Sequence, residues 1–272
     1  MYKVCLFYRQ IFTFEIMFKI IFLGTGTSQG IPIIGSNHPV CLSQNPKDKR
    51  FRVSIAISWD NYNYVIDCGP DFRQQILRNP ISKLDGVIFT HEHSDHTAGL
   101  DDIRPFFFRQ GNINFYASQK VFSALDKRFT YIMMDENKYP GAPSINKYII
   151  NKNNTFKLQG QTITPIEVMH NRLEVMGYRF GNFAYLTDVK TISSLELEKL
   201  KNLDVLVISV LRIDPHPSHL NLEEALELVK TVDPQKTYFT HISHLLGFHD
   251  EVEASLPKNI HLAYDNLEII ST

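Results

Sequence analysis

The stretch Ile88-Phe89-Thr90-His91-Glu92-His93-Ser94-Asp95-His96-Thr97-Ala98-Gly99-Leu100 decides how this chain is read. A continuous apolar run, the mark of a strand buried on both faces, ends at Thr90. The next six residues offer three imidazoles and two carboxylates. Imidazole nitrogen and carboxylate oxygen are the donors expected for Zn, Mn or Fe. His91 and His93, two apart on extended backbone, can point toward one ion. Asp95 and His96 lie past the bend, where they can serve a second. A lone histidine is more often structural than ligating. The pattern H-x-H-x-D-H at a strand end, with Gly99 following, points to metal.

Composition supports looking there. Eleven histidines in 272 residues is a high count, and most sit beside polar neighbours. Lys and Arg number 28 against 29 Asp and Glu, so no global basic field exists to draw in nucleic acid. Cys5, Cys41 and Cys68 cannot build a disulfide framework, which points to a reducing compartment, the cytoplasm. Lys3, Arg9 and Glu15 interrupt the apolar N-terminus before it nears the roughly 20 residues of a membrane helix, so no membrane partner is expected. The run 18–24 reads as the first strand. Residues 1–16 are therefore expected to be a dispensable, non-native extension, and 17–272 a single hydrolase domain.

Further β-rich runs fall at 19–23, 53–58, 62–67, 86–90, 113–116, 162–168, 183–187, 205–210 and 237–240. Helical patterns separate them: 71–78 after a Gly-Pro turn, a segment capped by Ser118, a helix at 194–203, and 222–232 with Asn221 and Glu224 as a capping box ended by Pro234. Residues 263–268 look like a tight hairpin turn. The fold class is α/β, layered. The charge clusters Lys47-Asp48-Lys49-Arg50 and Lys127-Arg128 read as solvated surface, and His216 and His249 as rim residues.

The H-x-H-x-D-H segment resembles the signature of metallo-β-lactamase fold hydrolases, and other motifs follow in their order. Tyr64-Val65-Ile66-Asp67-Cys68-Gly69 resembles the strand whose Asp67 braces the metal loop. Val168-Met169-His170, Leu186-Thr187-Asp188 and Thr240-His241-Ile242-Ser243-His244 resemble the later motifs. The resemblance implies a four-layer αββα sandwich with two mixed β-sheets. It implies two divalent ions (Zn or Mn, with Fe a third option), one held by His91, His93, His170 and Asp188, the other by Asp95, His96, Asp188 and His241.

Phe22-Leu23-Gly24-Thr25-Gly26-Thr27-Ser28-Gln29-Gly30 is similar to the opening of the phosphodiesterase branches, phosphoribosyl cyclic phosphodiesterase and ribonuclease Z. On the residues alone, such a glycine-rich turn is more often structural than phosphate-binding. Asp102-Ile103-Arg104-Pro105-Phe106 and Pro217-Ser218-His219 favour the cyclic phosphodiesterase group, with His219 matching its catalytic histidine. A small or cyclic phosphodiester is the implied substrate, attacked by a hydroxide between the ions. Asp95 would orient that hydroxide and His219 would protonate the leaving oxygen. Arg104 is a candidate phosphate contact, though a helix-surface salt bridge explains it equally well. Ser36, His38 and Cys41 stand where that group carries three cysteines for a structural zinc. His38, Cys41 and His244 remain as a reduced ligand set for such an ion. The rivals are an ester, thioester or lactam hydrolase, ribonuclease Z-like RNA processing, and a non-catalytic metal-binding module. RNA is disfavoured because residues 101–165 hold no basic glycine-rich arm. A homodimer is compatible with the reading.

Overall fold

The computed structural model describes residues 16–272. The expectation about residues 1–16 lies outside them, except at Ile16, which packs against the core.

The strands β1 (Phe18–Gly24), β2 (Ser54–Trp59), β3 (Tyr62–Ile66), β4 (Gly86–Ile88), β5 (Ile113–Ala117) and β6 (Ile145–Ile149) belong to one sheet. The second sheet takes β7 (Phe156–Leu158), β8 (Gln161–His170), β9 (Leu173–Phe180), β10 (Phe183–Leu186), β11 (Thr191–Ile192), β12 (Val205–Ser209), β13 (Lys236–Thr240) and β14 (Ile260–Leu262). The last strand, β15 (Glu268–Ser271), returns to the first sheet beside β1. Both sheets mix parallel and antiparallel pairs.

Period-two alternation distributes side chains between two kinds of core. Ile20, Phe22, Ile55, Ile57, Tyr64, Tyr178, Tyr185 and Val207 point between the sheets into one shared apolar layer. Their neighbours Leu23, Ala56 and Val65 face the helices α2 (Phe72–Arg78), α4 (Arg104–Gln110) and α5 (Gln119–Arg128), numbered after the one-turn helices α1 (Pro39–Leu42) and α3 (Ser94–Thr97). Leu206, Ile208 and Phe239 face the opposite helical layer. After the short α6 (Thr130–Met133), that layer comprises α7 (Ser194–Leu197), α8 (Leu222–Val232) and α9 (His249–Ser255). The outcome is the expected αββα sandwich.

Ser118 caps α5, and Asn221 with Glu224 closes a reciprocal capping box on α8, as the spacing predicts. Four expectations fail. The helix at 194–203 stops after α7 and one 3₁₀ turn, where Arg179 takes the carbonyls of Lys199 and Lys201. Residues 263–268 are not a hairpin: β14 pairs with β13 in the second sheet, whereas β15 pairs with β1. The Asp265 carboxylate, accepting from the Thr25 hydroxyl and the Phe51 N–H, draws the turn onto the first sheet. The run 47–50 is not solvated throughout, because Asp48 and Arg50 are buried. His249 is buried beside them rather than on a rim, its N–H on Asp48 and its Nδ1 3.0 Å from the Arg50 guanidinium.

Candidate metal centre

Five strand ends converge on one rim. Asp67 follows β3, His91 follows β4, His170 ends β8, Asp188 follows β10 and His241 follows β13. Polar side chains can gather there because the backbone turns away from sheet pairing at each point. Asp67, Asp188 and His241 adopt φ of 64°, 53° and 57°. Left-handed backbone costs a non-glycine residue on the order of 1–2 kcal/mol and clusters where function requires a fixed geometry.

The metal loop itself is clamped from below. A Cβ on Gly69 would lie 2.1 Å from the Asp95 carbonyl oxygen, and one on Gly99 would lie 2.0 Å from the Gly69 oxygen. Only glycine allows so close an approach. Asp67, fully buried, accepts from the Thr90 N–H (2.8 Å), the Thr90 hydroxyl (2.8 Å) and His96 Nδ1 (2.7 Å). From outside, Arg128 donates to the Glu92 carbonyl and the Thr97 hydroxyl, both at 2.7 Å. The surface reading of Lys127-Arg128 missed this brace, since the pair looks like any basic helix end.

The candidate donors meet in three overlapping groups: His91, His96 and Asp188; Asp95, His96 and His241; and His170, Asp188 and His219. Within each, ligand atoms lie within 4.8 Å of one another. His93 is exposed but close, its ring centroid 4.5 Å from that of His91 and 5.4 Å from that of His170. Every residue expected around the two ions is thus brought to one place.

Hydrogen bonding leaves ring nitrogens free on the inner side. His96 spends Nδ1 on Asp67, and His170 spends Nδ1 on the Ser218 carbonyl at 2.7 Å. His91 Nε2, His96 Nε2, both nitrogens of His241 and His219 Nδ1 are buried with no hydrogen-bond partner. Such orphaned atoms are costly unless something satisfies them. His96 Nε2 lies 3.1 Å from Asp188 Oδ2, and His241 Nε2 lies 3.3 Å from the same oxygen.

The charge balance has the same sense. Burial works against the Asp188 carboxylate, but His241 and His96 hold its pKa well below the ordinary range. Burial likewise opposes the Asp95 carboxylate, and the nearby His96 and His241 outweigh it, keeping that pKa low. Burial also opposes a charge on His96, yet Asp95, Asp188 and Asp67 raise its pKa well above normal. Two carboxylates thus keep their negative charge against burial, with imidazoles around them. A divalent cation fits this donor set and this charge.

Other expected residues sit elsewhere. Arg104 pairs with Asp101 at 2.5 Å and reaches the Tyr139 hydroxyl and the Gly141 carbonyl, so the salt-bridge reading holds. His38 and His244 meet edge to face at 4.7 Å. With Cys41, however, they form no three-donor group among the described residues, because His38 Nδ1 caps α1 by accepting from the Val40 N–H, and Cys41 packs with Ile31 and Val40. The glycine-rich turn is structural: a Cβ on Gly24 would lie 2.0 Å from the Arg52 carbonyl oxygen.

A profile of the beta-lactamase superfamily domain matches residues 62–242. The chain belongs to that superfamily. Its sandwich is a metallo-β-lactamase fold, and it is similar to a crystal structure described as a new diphosphatase from the PhnP family, with a TM-score of 0.87 and 37% identity over 93% of this chain and 97% of that one. An octanoyltransferase of Porphyromonas gingivalis is 39% identical over 254 residues, 93% of this chain and 51% of the relative. A ribonuclease Z of Picrophilus torridus is 26% identical over 182 residues, 59% of this chain and 53% of the relative. The chain spans about half the length of these curated relatives.

Proposed function

We propose that this chain is a dinuclear metal-dependent phosphodiesterase that hydrolyses a small or cyclic phosphodiester. The observation that carries the reading is the set of orphaned, buried ring nitrogens of His91, His96 and His241 facing Asp95 and Asp188. His91, His93, His170 and Asp188 would hold one ion, and Asp95, His96, Asp188 and His241 the other. Likeness to a PhnP-family diphosphatase supports phosphate ester chemistry in particular.

Bound divalent ions would lower the pKa of a water to about 7 and offset the charge that builds on phosphorus. The protein's part is to keep the donors in register. Asp67 fixes the tautomer of His96, and the Ser218 carbonyl that of His170, so that each presents Nε2 inward. Asp95 would orient the attacking water. His219 stands over the centre, its ring 4.4 Å from that of His170 and 5.0 Å from that of His241. Burial and the neighbouring His241 push its pKa down to about 3, with Asp188 acting in the other direction. The resting ring is therefore neutral. An anionic substrate against it favours the imidazolium, the form that gives a proton to a leaving oxygen.

A second reading is kept by the octanoyltransferase relative: acyl ester or thioester hydrolysis uses the same activated water. The chain spans only half of that protein, so its activity belongs first to the whole. The buried free thiols of Cys41 and Cys68 support placing the chain in the reducing cytoplasm, and no helix among the described residues is long and apolar enough to cross a membrane. Zn- or Mn-reconstituted protein assayed on phosphodiesters, ribose cyclic phosphates included, beside lactam and thioester substrates tests the proposal. Turnover of a diester is expected. Hydrolysis of none of them would overturn it.

A further inference from the structure

We infer that Arg50 is a positioning residue for His241, acting through the loop 24–28; the inference rests on His241 being a metal ligand. Three of the proposed histidine ligands are aimed by hydrogen bonds: His96 by Asp67, His170 by Ser218, and His91 by the Thr90 hydroxyl at 3.0 Å. His241 has no such bond on either nitrogen. Its ring direction is set by its own backbone, held at a φ of 57°.

That backbone is pinned on its far side by Thr25 and Thr27. The Ile242 N–H donates to the Thr25 carbonyl at 2.9 Å, and the Thr27 N–H donates to the Ile242 carbonyl at 3.1 Å. The 25–27 segment is therefore the template against which His241 is placed. Main-chain bonds from the Gly26 N–H to the Phe51 carbonyl and from the Val53 N–H to the Gly26 carbonyl hold the template on one side, and Arg50 is the side chain that ties it to the rest of the fold. Its Nη1 donates to the Thr25 hydroxyl at 2.8 Å and to the Ala263 carbonyl at 2.5 Å, and its Nη2 meets His249 Nδ1 at 3.0 Å. Thr25 passes the link on, donating its hydroxyl to Asp265 at 2.8 Å.

A guanidinium only 4% exposed is expensive, and stability alone seldom justifies it. Its planar fork can register several segments at once, which a lysine cannot do. Here it ties together the 24–28 loop, the 263–265 turn and the start of α9. The chain of contacts runs from Arg50 to Thr25, from Thr25 to Ile242, and so to His241.

The test is a stepwise titration of the metal-free chain with Co²⁺ alone, followed by visible absorption. Wild type should take two ions. Thr25→Val removes the hydroxyl but leaves the guanidinium on Ala263, so it tests the link even if Arg50 variants fold poorly. It should weaken one step by about tenfold or more, as lost outer support of a ligand does, and leave the other within about twofold. The weakened step should be the one lost in His241→Ala. Arg50→Lys, which keeps the charge but not the fork, should weaken that same step. Unchanged titration of Thr25→Val, equal weakening of both steps, or weakening of the step that His241→Ala retains would overturn the inference. Wild type binding fewer than two Co²⁺ would instead refute the metal reading, and the inference would fall with it.

Discussion

Replacing Asp67 with Asn changes one atom in the centre and should disable a ligand that Asp67 never shares with the ion. The carboxylate receives the Thr90 N–H on Oδ1 and both the Thr90 hydroxyl and His96 Nδ1 on Oδ2. An amide offers one acceptor and one donor group. The backbone N–H of Thr90 cannot reverse its polarity, so the amide oxygen must take the Oδ1 position and the NH₂ must face His96. The hydroxyl of Thr90 can rotate to accept, but His96 can accept only by moving its proton to Nε2. That nitrogen then points an N–H at the site where Asp95 and Asp188 converge. Loss of an outer partner to a ligating histidine costs about 10–100-fold in metal affinity, or about 1.4–2.7 kcal/mol. Competition against a chelator of known affinity, with thermal unfolding of the metal-free protein as control, measures it. Asp67→Asn binding both ions within about twofold of wild type would refute the tautomer argument.

His219→Ala should cut turnover of a diester with a poor leaving group by about 10²-fold or more, and that of an activated nitrophenyl diester far less; equal losses would exclude proton donation. His249 gives a pH-dependent stability. Burial and Arg50, with a smaller part from Lys47, lower its pKa to about 4 while Glu253 and Asp250 act the other way. Because the folded pKa lies below the ordinary 6.5, the unfolded chain takes up the proton first, and stability falls between about pH 6.5 and 4 by at most about 3 kcal/mol. His249→Gln, which can still accept from Arg50, should flatten the melting temperature across that window; an unaltered slope would contradict this. Gly99→Ala must force a Cβ into the Gly69 carbonyl and should destabilise by about 3 kcal/mol, the upper range of overpacking; a denaturation midpoint within error of wild type would show that the loop yields.

The parts of this molecule legible in its sequence are those encoded locally. Strands such as β1, β2 and β12 alternate between two cores, so they are largely apolar and stand out. The caps of α5 and α8 are short-range hydrogen bonds with a fixed spacing. The strand-end histidines and aspartates were found because the loops that hold them carry motifs. By contrast, β6 is exposed at four of its five positions, and β9 carries Glu174, Gly177 and Arg179, so neither has a clear period. Whether a charge is buried depends on what the rest of the chain brings to it. Nothing near Arg50 in sequence reveals Thr25, Ala263 and His249 around it. The same limit applied to Arg104, whose partners Asp101 and Tyr139 consume it before any substrate can, and to His38 with Cys41, which the fold turns to separate tasks.

The return of β15 to lie antiparallel to β1, with Phe18 opposite Ser271, has a bearing on engineering. The two described ends of the chain are neighbours across one strand spacing, about 5 Å. They also emerge at the start of β1, whereas the strand's other end, Gly24, leads into the loop that supports the centre. A partner domain grafted at either described end would therefore project away from the candidate metal centre. The same closeness would let a short glycine linker join the ends and move the break to exposed residues near Asn153, giving a circular permutant in which every strand pairing around the centre is kept.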